Sequence, residues 1–137
     1  MSDEPIDLAA ALASFEQLWS PRVVARVNDY DVRVAKVRGE YVWHAHRDTD
    51  EFFLVIDGDL RIRLREGAEE RVVALGPGSV FVVPRGVEHR PESDGGASIL
   101  LFEPTGTLTV GDHEGEVPDH IDATVGHPLE VPVRGRT

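Results

Sequence analysis

Two rhythms of apolar and polar positions divide the chain. In residues 6–19, "IDLAAALASFEQLW", Ile6, Leu8, Leu12, Phe15 and Trp19 recur at roughly helical spacing, with alanines between them and Pro5 ahead. This predicts an amphipathic helix stopped near Ser20-Pro21. From Arg22 the runs are short, β-branched and aromatic, and turn signals recur every eight to ten residues: Asn28-Asp29, Gly39-Glu40, Asp48 to Asp50, Asp57-Gly58, Glu66-Gly67, Gly76-Pro77-Gly78, Pro84-Arg85-Gly86 and Asp94-Gly95-Gly96. Short strands at that rhythm, without helical segments between them, predict an antiparallel sandwich or barrel. Asp57-Gly58 reads as a two-residue hairpin turn, and "GPG" as a type II turn.

The run "DEFFLVID" is apolar on both faces. Glu51, Phe53 and Val55 share one, and Phe52, Leu54 and Ile56 share the other. A strand of that kind is covered on both sides. One side can be a barrel interior; the other needs the N-terminal helix or a second subunit, so a homodimer is expected. After Pro104 the periodicity fades into Gly, Pro, Asp and Thr, which predicts a tail that wraps the barrel or is partly mobile. The expected organisation is a helix in 1–20, a barrel in 21–104 and a tail in 105–137.

Composition narrows the function. The 137 residues suit one domain, 41% hydrophobic and 28% charged. The net charge of -11 repels a phosphate backbone, so no nucleic-acid partner is expected. The basic cluster Arg61, Arg63 and Arg65 sits at alternate strand positions and reads as a solvated sheet face before an anion site. No apolar run has the length of a membrane span, and the start "MSDEP" lacks a signal peptide's basic segment, so no membrane partner and a cytoplasmic location are expected. Without cysteine, thiolate chemistry is excluded.

The candidate chemistry lies in "VWHAHRDTDE". Placed on a strand, His44 and His46 share a face with Val42, while Trp43 and Ala45 take the other. After the "RDTD" turn, Glu51 begins the next strand on the face of Phe53 and Val55. Two imidazoles and a carboxylate could converge on Fe, Mn, Ni, Cu or Zn; the competing reading is a half-exposed strand with two surface histidines. Further on, "GSVFVVPRGVEH" is a strand, a turn set by Pro84 and Gly86, and then His89, a geometry able to return a third imidazole to the same interior.

Those residues resemble the two motifs of the cupin family. The first appears as Gly39, His44, His46, Glu51 and Gly58; the second as Gly78, Pro84, Gly86 and His89, with Ser93 where the family has asparagine. The resemblance spans residues 39–93 and departs in one further place: four residues instead of five separate Gly39 from His44. It implies an all-β, double-stranded β-helix (jelly-roll) barrel with a short N-terminal helix and an irregular tail. It also implies one divalent transition metal (Fe, Mn, Ni or Zn) held by His44, His46, Glu51 and His89, with positions left open for a small-molecule substrate or O₂.

What that implies for activity divides into classes. A metal-dependent enzyme acting on a small molecule could be a dioxygenase, or a sugar or keto-acid isomerase or lyase. The alternative is a non-catalytic metabolite- or metal-binding sensor module. A storage role is disfavoured by an intact ligand set on a single barrel. Arg33, Lys36, Tyr41, Glu88 and Arg90 are candidates for a base or orienting group. Alternation from the histidines turns Tyr41 and Arg90 outward and leaves the phase of Lys36 open. Trp43 is expected on the outer face. His113, His120 and His127, seven apart among Gly and Pro, read as exposed tail residues before a second metal site.

Overall fold

The computed structural model describes residues 4–129. One helix, α1 (Leu8–Ala13), precedes eight strands: β1 (Arg22–Val27), β2 (Tyr30–Glu40), β3 (Glu51–Gly58), β4 (Leu60–Glu66), β5 (Glu69–Leu75), β6 (Val80–Val83), β7 (Glu88–Pro104) and β8 (His127–Pro128). The strands form a double-stranded β-helix closed around an apolar core. β7 is its spine. On one edge it pairs antiparallel with β2 along nearly its whole length; on the other, its first half pairs with β4 and its second half with β3. β5 completes one side through β4, β6 completes the other through β3, and β1 and β8 extend the sheet beyond β2.

Alternation decides what lies inside. Phe53 and Val55 of β3, Leu60, Ile62 and Leu64 of β4, and Ile99 and Leu101 of β7 are all buried in one cluster. Each such side chain contributes about 1.5–3 kcal/mol by leaving water. On β2 the inward set is Asp31, Arg33, Ala35 and Val37, so Lys36 faces out, where its ammonium donates to the Phe15 carbonyl at 2.7 Å.

The helix is shorter than its periodicity suggests. Asp7 caps it by accepting from the Ala10 amide at 3.0 Å, and it stops after Ala13, where the Ser14 hydroxyl turns back to the Ala11 carbonyl at 2.7 Å. Residues beyond it pair with β2 instead: Leu18 bridges Lys36, and the Trp19 amide donates to the Lys36 carbonyl at 2.8 Å. Trp19 then enters the barrel core while Leu12 and Phe15 pack outside the sheet with Val24 and Val34. Sheet pairing and two separate apolar destinations outweigh a helical propensity that one face could not satisfy.

Two turn expectations also change. Asp57-Gly58 makes no hairpin, because β3 and β4 do not pair; the chain crosses there between the two halves of the barrel. Gly58 passes so close to β7 that an added Cβ would lie 2.2 Å from the Gly96 carbonyl oxygen, at a φ of +81°. The opposing Asp94-Gly95-Gly96 stretch does not end a strand. It bulges within β7, facing Arg38 alone, since Ala97 pairs with Val37 and Ser93 with Gly39. Ser93 ties this corner together, donating to the Asp59 carbonyl at 2.6 Å and accepting from the Gly96 amide at 3.0 Å. By contrast, the "GPG" turn closes as expected, with the Ser79 amide on the Gly76 carbonyl at 3.0 Å.

Arg61 and Arg63 lie on the outer face and are ion-paired. Both grip Glu92, at 2.7 and 2.9 Å, and Arg61 also reaches Asp94. Burial would raise the Glu92 carboxyl, but Arg63 and Arg61 hold it down at about 2, below its ordinary 4.5. A depressed carboxylate contributes stability that is present above pH 4.5 and lost as pH falls toward 2. The wild-type melting temperature is therefore expected to drop over that interval, and Glu92→Gln to flatten the drop. Identical acid limbs in thermal melts of both proteins would contradict the assignment.

The tail wraps the barrel. Val110 and Ile121 are buried in the main core, β8 runs parallel to β1, and the residues between are pinned to the β2–β3 connection. Residues 130–137, the end of the expected tail, lie outside the described part.

Candidate metal centre

The four expected residues meet. His44, His46, Glu51 and His89 are all buried, and each offers a ligand atom within 4.8 Å of the others. Among the described residues no other histidine or acidic group forms such a cluster.

His44 and His46 do not lie on a regular strand, as the alternation argument supposed. Residues 41–50 form an extended connection that touches β7 locally: His44 and His89 exchange both backbone hydrogen bonds (3.0 and 2.8 Å), and the Gly86 amide donates to the His46 carbonyl at 2.8 Å. Glu51 opens β3. His89 is the second residue of β7, just after the Pro84–Val87 turn, whose amide-to-carbonyl bond is 3.2 Å. Asp50 accepts from the Arg85 amide at 2.9 Å, so the exposed "RDTD" turn is a strut between ligand-bearing segments.

Nδ1 of His44 lies 2.9 Å from the Val42 carbonyl, and Nδ1 of His89 lies 2.9 Å from that of Val87. A carbonyl can only accept, so both Nδ1 atoms carry the proton and the Nε2 atoms are left for the centre of the cluster. Glu51 Oε1 sits 2.8 Å from His89 Nε2. It also lies 3.2 Å from His46 Nε2, an ion-pair contact without the alignment of a hydrogen bond, so that buried nitrogen makes no hydrogen bond. A buried imidazole nitrogen without a hydrogen bond, beside two others and a carboxylate, is a donor set that a divalent transition metal satisfies. The residues present therefore fit such an ion.

The electrostatics agree. Burial and the adjacent His89 push the His44 ring down to about 3, keeping it neutral and able to ligate. Burial opposes charge on His46 and Glu51, but their pairing prevails: His46 is raised and Glu51 is held well below its ordinary range. Metal uptake would then displace a proton from this pair. The pH of a weakly buffered solution is expected to fall as metal is added, and a proton release of zero would contradict the pairing.

The other candidates sort differently. Tyr41 faces inward, opposite to the alternation argument, because the 41–50 connection does not alternate like a strand. It is 9% exposed, its ring is 5.3 Å from that of His44, and burial raises its hydroxyl. Arg90 faces outward as expected, and Arg90 and Arg65 flank the Trp43 ring at 5.4 and 3.8 Å. Glu88 is exposed and pairs with Arg65. Arg33 is fully buried and engaged by Asp31 (3.0 Å) and Glu103 (3.3 Å). The three tail histidines hold the tail: His113 contacts the Trp43 carbonyl, His120 the Glu40 carbonyl and His127 the Asp122 carboxylate.

Glu103 and Asp112 escaped sequence reasoning. Glu103 shares the inward phase of Ile99 and Leu101, a signal that alternation along "SILLFEP" does carry. Its carboxyl is raised to about 8 by burial and by the charge of Glu51. Asp112 left no such signal. Its Oδ1 accepts from the Ala45 amide at 2.7 Å and its own amide donates to the Ala45 carbonyl at 3.0 Å, clasping the middle of H-x-H. Gly111 makes the clasp possible: at a φ of +52°, an added Cβ would lie 2.4 Å from the Ala45 carbonyl oxygen. Gly111→Ala is expected to weaken metal binding by about 10–100-fold, the range for groups that orient ligands. Gly106→Ala, which also has positive φ but open space around it, controls for backbone strain alone. Equal metal affinity in the two variants, measured by competition with a chelator, would refute the clasp.

Two spaces adjoin the cluster on different sides. A cleft of about 400 Å³ at the barrel mouth is lined by His46, Arg47, Thr49, Thr105, Thr107 and neighbours. A chamber of about 40 Å³ lies inside the barrel against His44 and Glu51, between Ala35, Phe53, Ile99 and Leu101.

Comparison with known proteins gives this architecture a family. The cupin domain family matches residues 31–103. A cupin-2 domain containing protein from Shewanella frigidimarina superposes with a TM-score of 0.68 at 42% identity, covering 72% of this chain and 93% of its own. The uncharacterized protein YdbB of Bacillus subtilis is 37% identical over 70 residues, 51% of this chain and 59% of that one. The 3-hydroxyanthranilate 3,4-dioxygenase of Ruegeria pomeroyi is 34% identical over 92 residues, 65% of this chain and 47% of that one. The chain spans roughly half the length of these curated relatives.

Proposed function

The chain belongs to the cupin family, and from that premise we propose that it is a metal-dependent dioxygenase acting on a small molecule. One divalent metal, of the set Fe, Mn, Ni or Zn, would be held by His44, His46, Glu51 and His89. The observation that carries this reading is the convergence of four buried ligand atoms, one of them an imidazole nitrogen that makes no hydrogen bond. The likeness to a dioxygenase favours oxygen chemistry over the isomerase and lyase alternatives.

When bound, the metal supplies Lewis-acid and redox chemistry. The protein supplies the rest. The Val42 and Val87 carbonyls fix two imidazoles in the ligating tautomer, and Asp112 holds the third ligand's segment in register. The cleft beside His46 receives the substrate among threonine hydroxyls, with Arg47 at its rim.

The reading extends to a cytoplasmic homodimer. Among the described residues no helix is long and apolar enough to cross a membrane. Val80 and Val82 of β6, 54% and 45% exposed, extend the outer apolar row of Phe52, Leu54 and Phe102, which α1 does not cover. Val82→Glu is expected to convert a dimer to a monomer in sedimentation velocity; an unchanged mass would exclude this face.

The functional test is elemental analysis of untagged protein, followed by oxygen consumption by the iron-loaded form on a panel of small aromatics beginning with 3-hydroxyanthranilate. Bound iron without oxygen uptake on any member would move the protein to the isomerase, lyase or sensor classes.

A further inference from the structure

The open cleft is built only partly from the family's barrel. One wall is the 45–49 connection. The other is the 105–112 segment of the tail, which lies outside the residues 31–103 that match the cupin domain. What this cleft selects is therefore a property of this chain and not of the family. Its volume of about 400 Å³ suits a single-ring molecule, since small-molecule sites run from roughly 300 to 1,000 Å³.

The direction of three hydroxyl bonds fixes what the walls can offer. Thr49 donates to the Asp50 carbonyl at 3.0 Å, Thr105 to the Asp31 carboxylate at 2.7 Å and Thr107 to the Pro104 carbonyl at 2.7 Å. Carbonyls and carboxylates only accept, so each hydroxyl proton is committed. The three threonines turn lone pairs, and no donor, toward a ligand.

The charges point the same way. Two carboxylates, Asp48 and Asp112, line the cleft against one guanidinium, Arg47. Arg47 is 78% exposed and is tied to Asp112 at 3.1 Å. Asp48 is exposed and its carboxylate has no partner among the described residues. His46, the ligand residue at this cleft, has Glu51 beside it as counter-charge. The cleft is thus net negative within a chain of net charge -11, and a field of that sign gathers cations.

We propose that the outer cleft binds a small organic cation: a molecule with a protonated amine and hydroxyl donors. The ammonium sits beside Asp48 and the donors on the threonine oxygens, while Leu108, 40% exposed, offers an apolar wall to the carbon body. The same groups disfavour carboxylates and phosphates. The cation selectivity rests on the cleft's own walls; that the occupant is the substrate of the metal centre rests on the dioxygenase reading.

The test uses the full-length protein without added metal, so it does not depend on turnover. Three phenols of nearly one shape serve as probes: tyramine is a cation, tyrosol is neutral and 4-hydroxyphenylacetate is an anion. Amide shifts in NMR titrations report both affinity and place. Tyramine is expected to shift Gly106, Thr107 and Leu108 of the tail wall. It should bind about threefold more tightly than tyrosol, the gain from one half-exposed ion pair. Its advantage over the anion should be about tenfold, because attraction is there replaced by repulsion. High salt should compress this order. Asp48→Asn is expected to bring tyramine down to the affinity of tyrosol and to leave tyrosol unchanged. Tyrosol or 4-hydroxyphenylacetate binding as tightly as tyramine, shifts confined to residues outside the cleft, or no shift with any of the three would overturn the proposal. Tyramine preference in a protein whose iron-loaded form consumes no oxygen would overturn the dioxygenase reading and leave the cation site standing.

Discussion

His89→Ala is expected to lose the metal while the protein remains folded. Metal content should fall from stoichiometric to near zero, and the affinity loss should exceed the about 10–100-fold seen when only a ligand's supporting group is removed. The side chain gives Nε2 to the centre of the cluster and its Nδ1 proton to the Val87 carbonyl. Its backbone pairing with His44 does not need the ring, so the bridge that positions His44 survives the substitution. Glu51 keeps His46 at 3.2 Å. The core that stabilises the barrel lies largely elsewhere, in Leu60, Ile62, Leu75 and their neighbours. Elemental analysis beside a thermal melt of metal-free protein separates the two effects. Equal metal in wild type and variant would end the ligand assignment; an unfolded variant would show that the cluster is structural first, and His44→Ala would then repeat the test from the other segment. His120→Ala, which removes an exposed tail histidine, is expected to leave the metal in place.

Arg33→Met is expected to cause the largest loss of stability. Arg33 is fully buried and neutralises two buried acids, Asp31 and Glu103, while donating to the Thr107 and Val125 carbonyls at 3.1 and 2.8 Å. It thus fastens the tail to β2. Removing one partner from a buried ion cluster costs about 3–5 kcal/mol, because the remaining charges lose their compensation. For a domain of this size that lowers the melting temperature by roughly 10–20 °C.

The loss has a pH signature. Glu103 already sits at about 8, above its ordinary 4.5. Without the guanidinium its neutral form is favoured further. A carboxyl whose folded value is raised contributes stability that is fully present below pH 4.5 and is lost as pH rises through the folded value. Wild type and variant should therefore lose stability in parallel up to about pH 8, with the variant falling further behind above that value, and the tail should become more sensitive to protease. Melts below and above pH 8 and limited proteolysis test this. A loss independent of pH would leave packing as the whole of Arg33's contribution. Replacing Arg33, Asp31 and Glu103 together by apolar residues should recover much of the stability, since no charge is then stranded.

Much of the site was legible because its ligands are local in sequence. H-x-H, Glu51 and the "PRG" turn before His89 each state their geometry within a few residues, and strand alternation on β3 placed Glu51 with Phe53 and Val55 correctly. The same rule failed at Tyr41. Alternation requires a regular ladder, and the 41–50 connection has only point contacts with β7. Turn chemistry failed at Asp57-Gly58, where a hairpin signature marks a crossing instead, because only the path of β7 and its Gly96 reveals why a glycine is needed. The "GPG" turn shows the opposite case: its Ser79-to-Gly76 hydrogen bond is local, and local sequence suffices.

The chain's periodicity and turns establish the class of the fold and the polarity of most strand faces, and its resemblance to the two cupin motifs implies the four side chains that converge. The tertiary structure alone decided three things. It ended the helix at Ala13 by offering Leu18 and Trp19 a sheet edge. It folded the tail back so that Asp112 clasps Ala45, a contact 67 residues distant in the chain. It set Glu103 beside Arg33 and split the space around the ligands into a cleft and a chamber. The physical reason is common to all three. Each depends on which free backbone groups, charges and volumes the rest of the chain leaves unsatisfied, and that quantity exists only once the barrel has closed.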